Sequence, residues 1–150
     1  MNPKATKIIG IAAGVAVLAA AGVYFATRNQ EKPEPPKPGI VVERPAENEL
    51  VSFPLTVKGY VTGEDNWAPF EAQAGTVQAF EAGGSPVSII QSLMAAGEWM
   101  NLPSRFETTI YKEDVLNEPK SDAGYLLFKN ENASASPERD REFRVPVRYK

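Results

Sequence analysis

Seven carboxylates are the groups of this chain best suited to proton transfer: Glu64, Asp65, Glu71, Glu98, Glu107, Glu113 and Asp114. Two of them about 5–10 Å apart would have the geometry of glycoside hydrolysis. Their spacing in the chain does not show which of them would pair, and solvated loop or strand-face charge is the plainer reading of most. Histidine is absent, which removes the commonest general base, the commonest metal ligand and the Ser-His and Cys-His nucleophile pairs. Cysteine is absent too, so disulfides, thiolate metal sites and lipoprotein-type attachment are excluded. Glu64, Asp65 and Asn66 offer hard oxygen ligands of the kind calcium takes, but without Asp-x-Asp-x-Asp-Gly spacing. A turn is the expected role of that segment. Gly83 and Gly84 fall between two strand-like stretches, as a hairpin turn requires, and not in a phosphate loop. No cofactor and no metal site is expected.

The aromatic residues carry more weight. Trp67, Phe70 and Glu71 form the candidate binding surface, because exposed aromatics can stack on sugars or anchor a partner peptide. Trp67 lies among Glu, Asp, Asn and Pro, and both an exposed and a buried place are open to it. Trp99 is expected in the core, since Phe106 follows at strand spacing. Asn132-Ala133-Ser134 has the form of a glycosylation sequon, read here as the coincidence of a polar turn.

These groups need a scaffold, and residues 40–150 contain one. Period-two alternation recurs at residues 40–43, 54–62, 70–81, 86–94, 105–112, 124–129 and 142–149, with turn residues between. In the second stretch Leu55, Val57, Gly59 and Val61 share a face, with Thr56, Lys58 and Tyr60 opposite. Residues 124–129 hold the continuous apolar run of a central strand. Residues 92–97 fit either a strand or a helical turn. Pro146 removes a ladder donor, which points to an edge strand or a bulge. Seven or so strands in about 110 residues predict an all-β, immunoglobulin-like antiparallel sandwich, with a core large enough to fold without covalent staples.

The first forty residues say where that domain works. Residues 8–26 are an uncharged apolar run of about 28 Å as a helix, close to the roughly 30 Å of a bilayer core. Eight strong apolar residues within it favour insertion by roughly 2–5 kcal/mol together. Lys4 and Lys7 precede the run without an acid, so residues 1–7 are read as cytoplasmic and the C-terminal domain as extracytoplasmic. A cleaved signal peptide is the rival, with Ala19 and Ala21 as a cleavage signal. The run continues through Val23, Tyr24 and Phe25, which favours a retained signal anchor, and either reading exports the domain. Gly10 and Gly14 lie on one helix face at the spacing of a transmembrane dimer contact, though an Ala- and Gly-rich anchor produces that spacing by chance. Residues 27–39 form a proline-rich linker, in which proline alternates with charge from Glu31 onward and favours extended polyproline II. The net charge of −3, with no basic stripe, gives no reason to expect nucleic acid or anionic lipid headgroups as partners.

The segment IVVERPAENELVSFPLTVKGYVTG, from Ile40, resembles the opening of the immunoglobulin-like domain of bacterial spore germination, the Gmad-type domain. Pro45, the run from Ser52 to Gly59, and the group Trp67, Phe70 and Glu71 match its pattern in order, with Ala68 and Pro69 inserted. Gly97, Trp99 and Phe106 resemble its glycine–tryptophan–phenylalanine segment. Residues 128–134 resemble the stretch before its last strand, and Val145-Pro146-Val147 its closing Ile-Pro-Val. The resemblance spans residues 40–150 and rests on order and spacing. It implies an immunoglobulin-like exported domain without known catalytic residues. No germination-type domain accompanies it, so a role in spores does not follow.

The combined expectation is a single-pass, membrane-anchored, non-catalytic binding module of the bacterial cell envelope. Its partner would be an envelope protein or polymer. The alternatives are a structural or accessory subunit of an envelope complex, or a carboxylate-dependent hydrolase.

Overall fold

The computed structural model describes residues 38–150. The cytoplasmic segment 1–7, the membrane run 8–26, the Gly10 and Gly14 face and the linker as far as residue 37 lie outside the described residues. Among the described residues no helix is long and apolar enough to cross a membrane. Eight strands make an all-β fold of two sheets: β1 (Ile40–Arg44), β2 (Glu49–Val51), β3 (Leu55–Val61), β4 (Gln73–Glu81), β5 (Gln91–Met94), β6 (Ser104–Ile110), β7 (Ala123–Asn130) and β8 (Glu142–Tyr149). One sheet has the order β1-β3-β6 and the other β2-β8-β7-β4-β5. Every pairing is antiparallel except that of β2 with β8.

The alternation expected of residues 54–62 is what β3 shows: Leu55, Val57, Gly59 and Val61 are buried, and the three residues between them are partly exposed. A strand whose side chains alternate must turn one set to the partner sheet. The inward sets of both sheets meet in one core. Val57, Val61, Phe106 and Ile110 come from the three-stranded sheet, and Val77, Leu126, Phe128 and Val145 from the five-stranded one. Phe106 and Phe128 touch across the gap, ring centroids 6.5 Å apart and tilted by 45°. Gly59 is small because a Cβ there would strike the Val41 carbonyl and the Phe106 ring.

The structure adds β2, which three residues of sequence do not announce. The chain leaves the three-stranded sheet at the buried Pro45 and joins the other through Glu49, Leu50 and Val51. Residues 91–94 are strand, not helical turn. Pro146 sits in β8 between two neighbours, not at an edge. The Tyr149 N–H donates to Asp122 O at 2.7 Å and the Asn130 N–H to Arg141 O at 3.1 Å. With residues alternating in direction, that phase aims the Pro146 nitrogen away from β7, so the central ladder loses no bond.

The core place expected of Trp99 is corrected, and Trp67, for which the sequence leaves both places open, is buried. Trp67 is the core tryptophan, 3% exposed. Trp99 is half-buried in the connection before β6 and is not part of the core. The polar neighbours of Trp67 mislead because they form a tight 3-10 turn, Glu64–Asn66. The Trp67 N–H donates to Glu64 O at 2.9 Å and the Gly63 N–H to Trp67 O at 2.8 Å. That turn sends the acids outward and the indole inward, where it packs on Gly39. A Cβ at residue 39 would collide with the indole. Pro38 and Gly39, read as the linker's end, therefore belong to the folded unit: the Thr62 hydroxyl donates to Pro38 O at 3.0 Å. β6 begins only at Ser104, so its alternation does not reach back to Trp99.

Truncating a buried aromatic to alanine costs about 3–5 kcal/mol, a large part of a domain's total of about 5–15 kcal/mol. Trp67→Ala is expected to lower the unfolding free energy from urea melts of the detergent-solubilised chain by that much, and Trp99→Ala by less than half as much. Equal shifts would place both indoles in the core.

Candidate functional site

The carboxylates with catalytic potential are spread over the fold. Asp65 pairs with Arg141 Nε at 2.7 Å, and Glu107 with Lys58 Nζ at 3.1 Å. Glu98 accepts from Asn101 Nδ2, and Asp114 caps the turn after β6 by accepting from the Tyr111 N–H at 2.9 Å. Glu64 and Glu113 lie in the 3-10 turns Glu64–Asn66 and Lys112–Asp114. Among the described residues no three His, Cys, Asp or Glu side chains come together in a way that could hold a metal ion. Asp65 already has its cation, and Asn66 O accepts from Asn130 Nδ2 at 2.9 Å. Asn132 of the sequon is likewise engaged within its loop, donating to Ser136 O at 2.8 Å and to Asp140 Oδ1 at 2.6 Å.

Of the expected binding surface Trp67, Phe70 and Glu71, the structure leaves two members outside. Trp67 is removed by burial. Phe70 is 47% exposed, and Glu71 stands at the tip of the two-residue turn before β4. Phe70 and Gln73 exchange both backbone hydrogen bonds at 2.9 Å. Glu71 and Ala72 between them have φ of 49° and 67°, the left-handed pair that such turns normally fill with Asn-Gly. A hollow of about 230 Å³ lies beside Phe70, walled by Asn130, Asn132 and Arg139. A larger cleft of about 430 Å³ opens between the ends of β2 and β8 and the β6–β7 connection. Phe53, Val115, Leu116, Pro119 and Tyr149 line it, with Lys112, Glu118 and Lys150 also on its walls. The Tyr149 hydroxyl donates to Phe80 O at 3.0 Å. Burial, and secondarily the negative charge of Glu81, hold its pKa well above the ordinary phenol value.

A third surface was not anticipated from the sequence. The outward residues of the five-stranded sheet include Phe80 on β4 and Tyr125 on β7, which are register partners. Their rings stack with centroids 5.3 Å apart and planes within 8°. On the other side of Tyr125 lies the Arg144 guanidinium of β8, 4.8 Å from the ring centre. Pro146 is the register partner of Tyr125, Arg144 that of Leu127, and Arg148 that of Leu50. A shallow depression of about 110 Å³ next to Phe80 is bounded by Ile90, Leu127 and Lys129. The alternation of β4, β7 and β8 could have marked these residues as outward. Their mutual register could not be read without the pairing.

The outer face of the three-stranded sheet differs in kind. Lys58 pairs with Glu107, Arg105 with Glu43 at 2.9 Å, and Thr56 lies 3.3 Å from Thr109, hydroxyl to hydroxyl. Each charge named there answers another, Lys58 on the neighbouring strand and Arg105 across β3, as on a solvated sheet. No family model, no curated protein and no solved structure matches the chain.

Two measurements test these local assignments. Left-handed backbone costs an L-residue about 1–2 kcal/mol, part of which glycine returns as unfolded-state entropy. Ala72→Gly is expected to stabilise the chain by about 0.5–1 kcal/mol in urea melts; a loss of stability would contradict the turn geometry. Tyr149 is favoured in its neutral form by the fold. Its stabilisation is fully present below the ordinary tyrosine pKa of about 10 and is lost as pH rises above it. Stability is expected to fall above about pH 10, and Tyr149→Phe to flatten that alkaline limb while losing about 1 kcal/mol of hydrogen bonding. An unchanged alkaline limb in the variant would assign the effect to other groups.

Proposed function

We propose that this chain is a membrane-anchored, exported, non-catalytic interaction module of the bacterial cell envelope, with an immunoglobulin-like sandwich as its binding body. The strand order supports the fold part of the reading. A first strand split between the two sheets, β1 in one and β2 along β8 in the other, is compatible with an immunoglobulin-like arrangement in which β4, β7 and β8 would correspond to the C, F and G strands. The resemblance to the Gmad-type domain points the same way, through the proline at 45 and the tryptophan loop that here supplies the core. The apolar run 8–26 and its basic start support the anchor and the extracytoplasmic side.

The observation that carries the interaction role is the asymmetry of the two outer faces. One gives each of its named cations a carboxylate of its own, Lys58 with Glu107 and Arg105 with Glu43, whereas on the five-stranded sheet Lys129 and Arg144 share Glu142. The other displays a stacked Phe80, Tyr125 and Arg144 with the exposed Ile90 and Leu50 at its margins. Exposed apolar residues gathered on one face mark interaction surfaces, whereas scattered ones carry no such meaning. A structural or accessory subunit of an envelope complex would use the same face, permanently covered. The hydrolase reading has the weakest support, because Asp65, Glu98, Glu107 and Asp114 hold the fold's own turns and ion pairs.

The test uses whole cells expressing the full chain with a photo-crosslinking residue at Ile90 or, as a control on the opposite sheet, at Thr109. Adducts are expected from position 90 only, external protease should release the domain, and membrane-fraction peptides should include residues 8–26. Absence of adducts at both positions would remove the interaction role. A mature chain beginning near residue 22 would replace the anchor by a signal peptide, and protection from protease in intact cells would reverse the orientation.

A further inference from the structure

We infer that the outer face of the five-stranded sheet docks an acidic peptide segment of a partner protein, one in which carboxylates alternate with aliphatic side chains; this rests on the interaction-module reading. The argument begins with the direction of the rings. Neighbouring strands lie about 4.8 Å apart, and the Phe80 and Tyr125 centroids are 5.3 Å apart with nearly parallel planes. The stack therefore runs along the sheet, from strand to strand, and the rings stand on edge. Tyr125 has Phe80 on one face and the Arg144 guanidinium on the other. Its faces are taken, so a sugar ring has no plane there to lie on. What Tyr125 presents to the solvent is ring edge, the electropositive part of an aromatic quadrupole.

The charges agree with the ring edges. On a chain of net charge −3, the outward residues of β7 and β8 include three exposed cations, Lys129, Arg144 and Arg148, and one carboxylate, Glu142. Glu142 serves two of them, Lys129 Nζ at 3.0 Å and Arg144 Nη2 at 4.0 Å. Exposed pairs of this kind contribute little to stability, so a better-placed carboxylate can replace them. Arg148 Nε donates to Asn48 O at 3.3 Å. Arg144, 4.8 Å from the centre of the Tyr125 ring, carries the planar guanidinium fork that binds carboxylates in bidentate fashion. Between and beside the cations lie the half-buried Pro146 and the exposed Ile90 and Leu50, which offer aliphatic contact to the partner's other side chains. A second copy of this chain docked face to face would bring the same three cations against each other. An apolar floor flanked by cations fits a segment with both carboxylates and aliphatic groups better than a polyanion lacking the latter.

The probes are a fluorescein-labelled octapeptide of alternating Glu and Val, its Lys and Val counterpart, and inorganic polyphosphate. They are titrated at low ionic strength against the full chain in detergent micelles. The Glu/Val peptide is expected to bind at least about tenfold more tightly than the Lys/Val peptide, a difference of about 1.4 kcal/mol. Arg144→Glu with Arg148→Glu should reverse the preference. The milder pair Arg144→Gln with Arg148→Gln, which keeps the fold's charge economy closer to the original, should abolish it. Arg44→Glu with Arg105→Glu places the same change of charge on the other sheet and should leave the preference intact. No preference between the peptides, or an equal loss in the distant pair, overturns the assignment. Polyphosphate binding more tightly than the Glu/Val peptide, with the same arginine dependence, would reassign the face to a phosphate polymer and overturn the peptide. Crosslinks from Ile90 in cells together with no charge preference would defeat this inference alone, while absence of crosslinks would defeat the interaction role beneath it.

Discussion

Everything in this domain depends on two sheets finding one another through Phe106 and Phe128. These rings are the largest fully buried side chains of the core, and they belong to different sheets. Neither sheet can bury its inward face alone. Three strands leave Val57, Val61 and Ile110 open, and five leave Val77, Leu126 and Val145 open. Apolar area removed from water is worth about 25 cal/mol per Å², so the drive to close this gap exceeds any single hydrogen bond on the surface. Trp67 completes the closure from one end of β3. Its indole enters the core from a loop and covers Gly39, which ties the first described residues to the same core. The polar turn around it exists to make that entry possible: Glu64, Asp65 and Asn66 reverse the chain within three residues, and Arg141 clamps the turn from the β7–β8 side.

Much of this was legible in the residues. The alternation of β3, β6 and β8 predicts their inward and outward sets, because a strand against a single core has no other way to hide its apolar half. The run from Tyr125 to Phe128 marks β7 as central, and it lies between β8 and β4. What alternation does not encode is pairing. β2 is three residues long and stands on the parallel partner β8, so nothing local distinguishes it from a loop. The two tryptophans show the same limit from the other side. Trp67 has polar neighbours and is buried, and Trp99 has strand-like spacing to Phe106 and is not in the core. Burial followed the geometry of a 3-10 turn, which composition does not reveal.

The site residues divide in the same way. Phe70 and Glu71 are exposed as their context implied, because they form a turn tip. The stacked Phe80, Tyr125 and Arg144 come from three strands separated by up to some sixty residues in the chain, and only the register of β4, β7 and β8 brings them into line. β4 alone puts roughly 23 Å between Gln73, beside the Phe70 tip, and Phe80. These are thus two surfaces, not one.

The two outer faces have similar residue types and different chemistry, and the difference is one of partners. On β3 and β6 a cation stands opposite an anion, Lys58 to Glu107, and Arg105 reaches Glu43 across the sheet. Those charges are satisfied by the fold and leave little for another molecule to recognise. On β7 and β8 the corresponding cation, Arg144, stands 4.8 Å from the centre of the Tyr125 ring, closer than the 5.9 Å between Arg105 and Tyr60. A ring orders the guanidinium without neutralising it, at about 0.5–1 kcal/mol where solvent reaches. The result is a cation that is ordered yet only weakly compensated, its carboxylate Glu142 lying 4.0 Å away and shared with Lys129, and a carboxylate arriving from outside gains there while costing the surface little to organise.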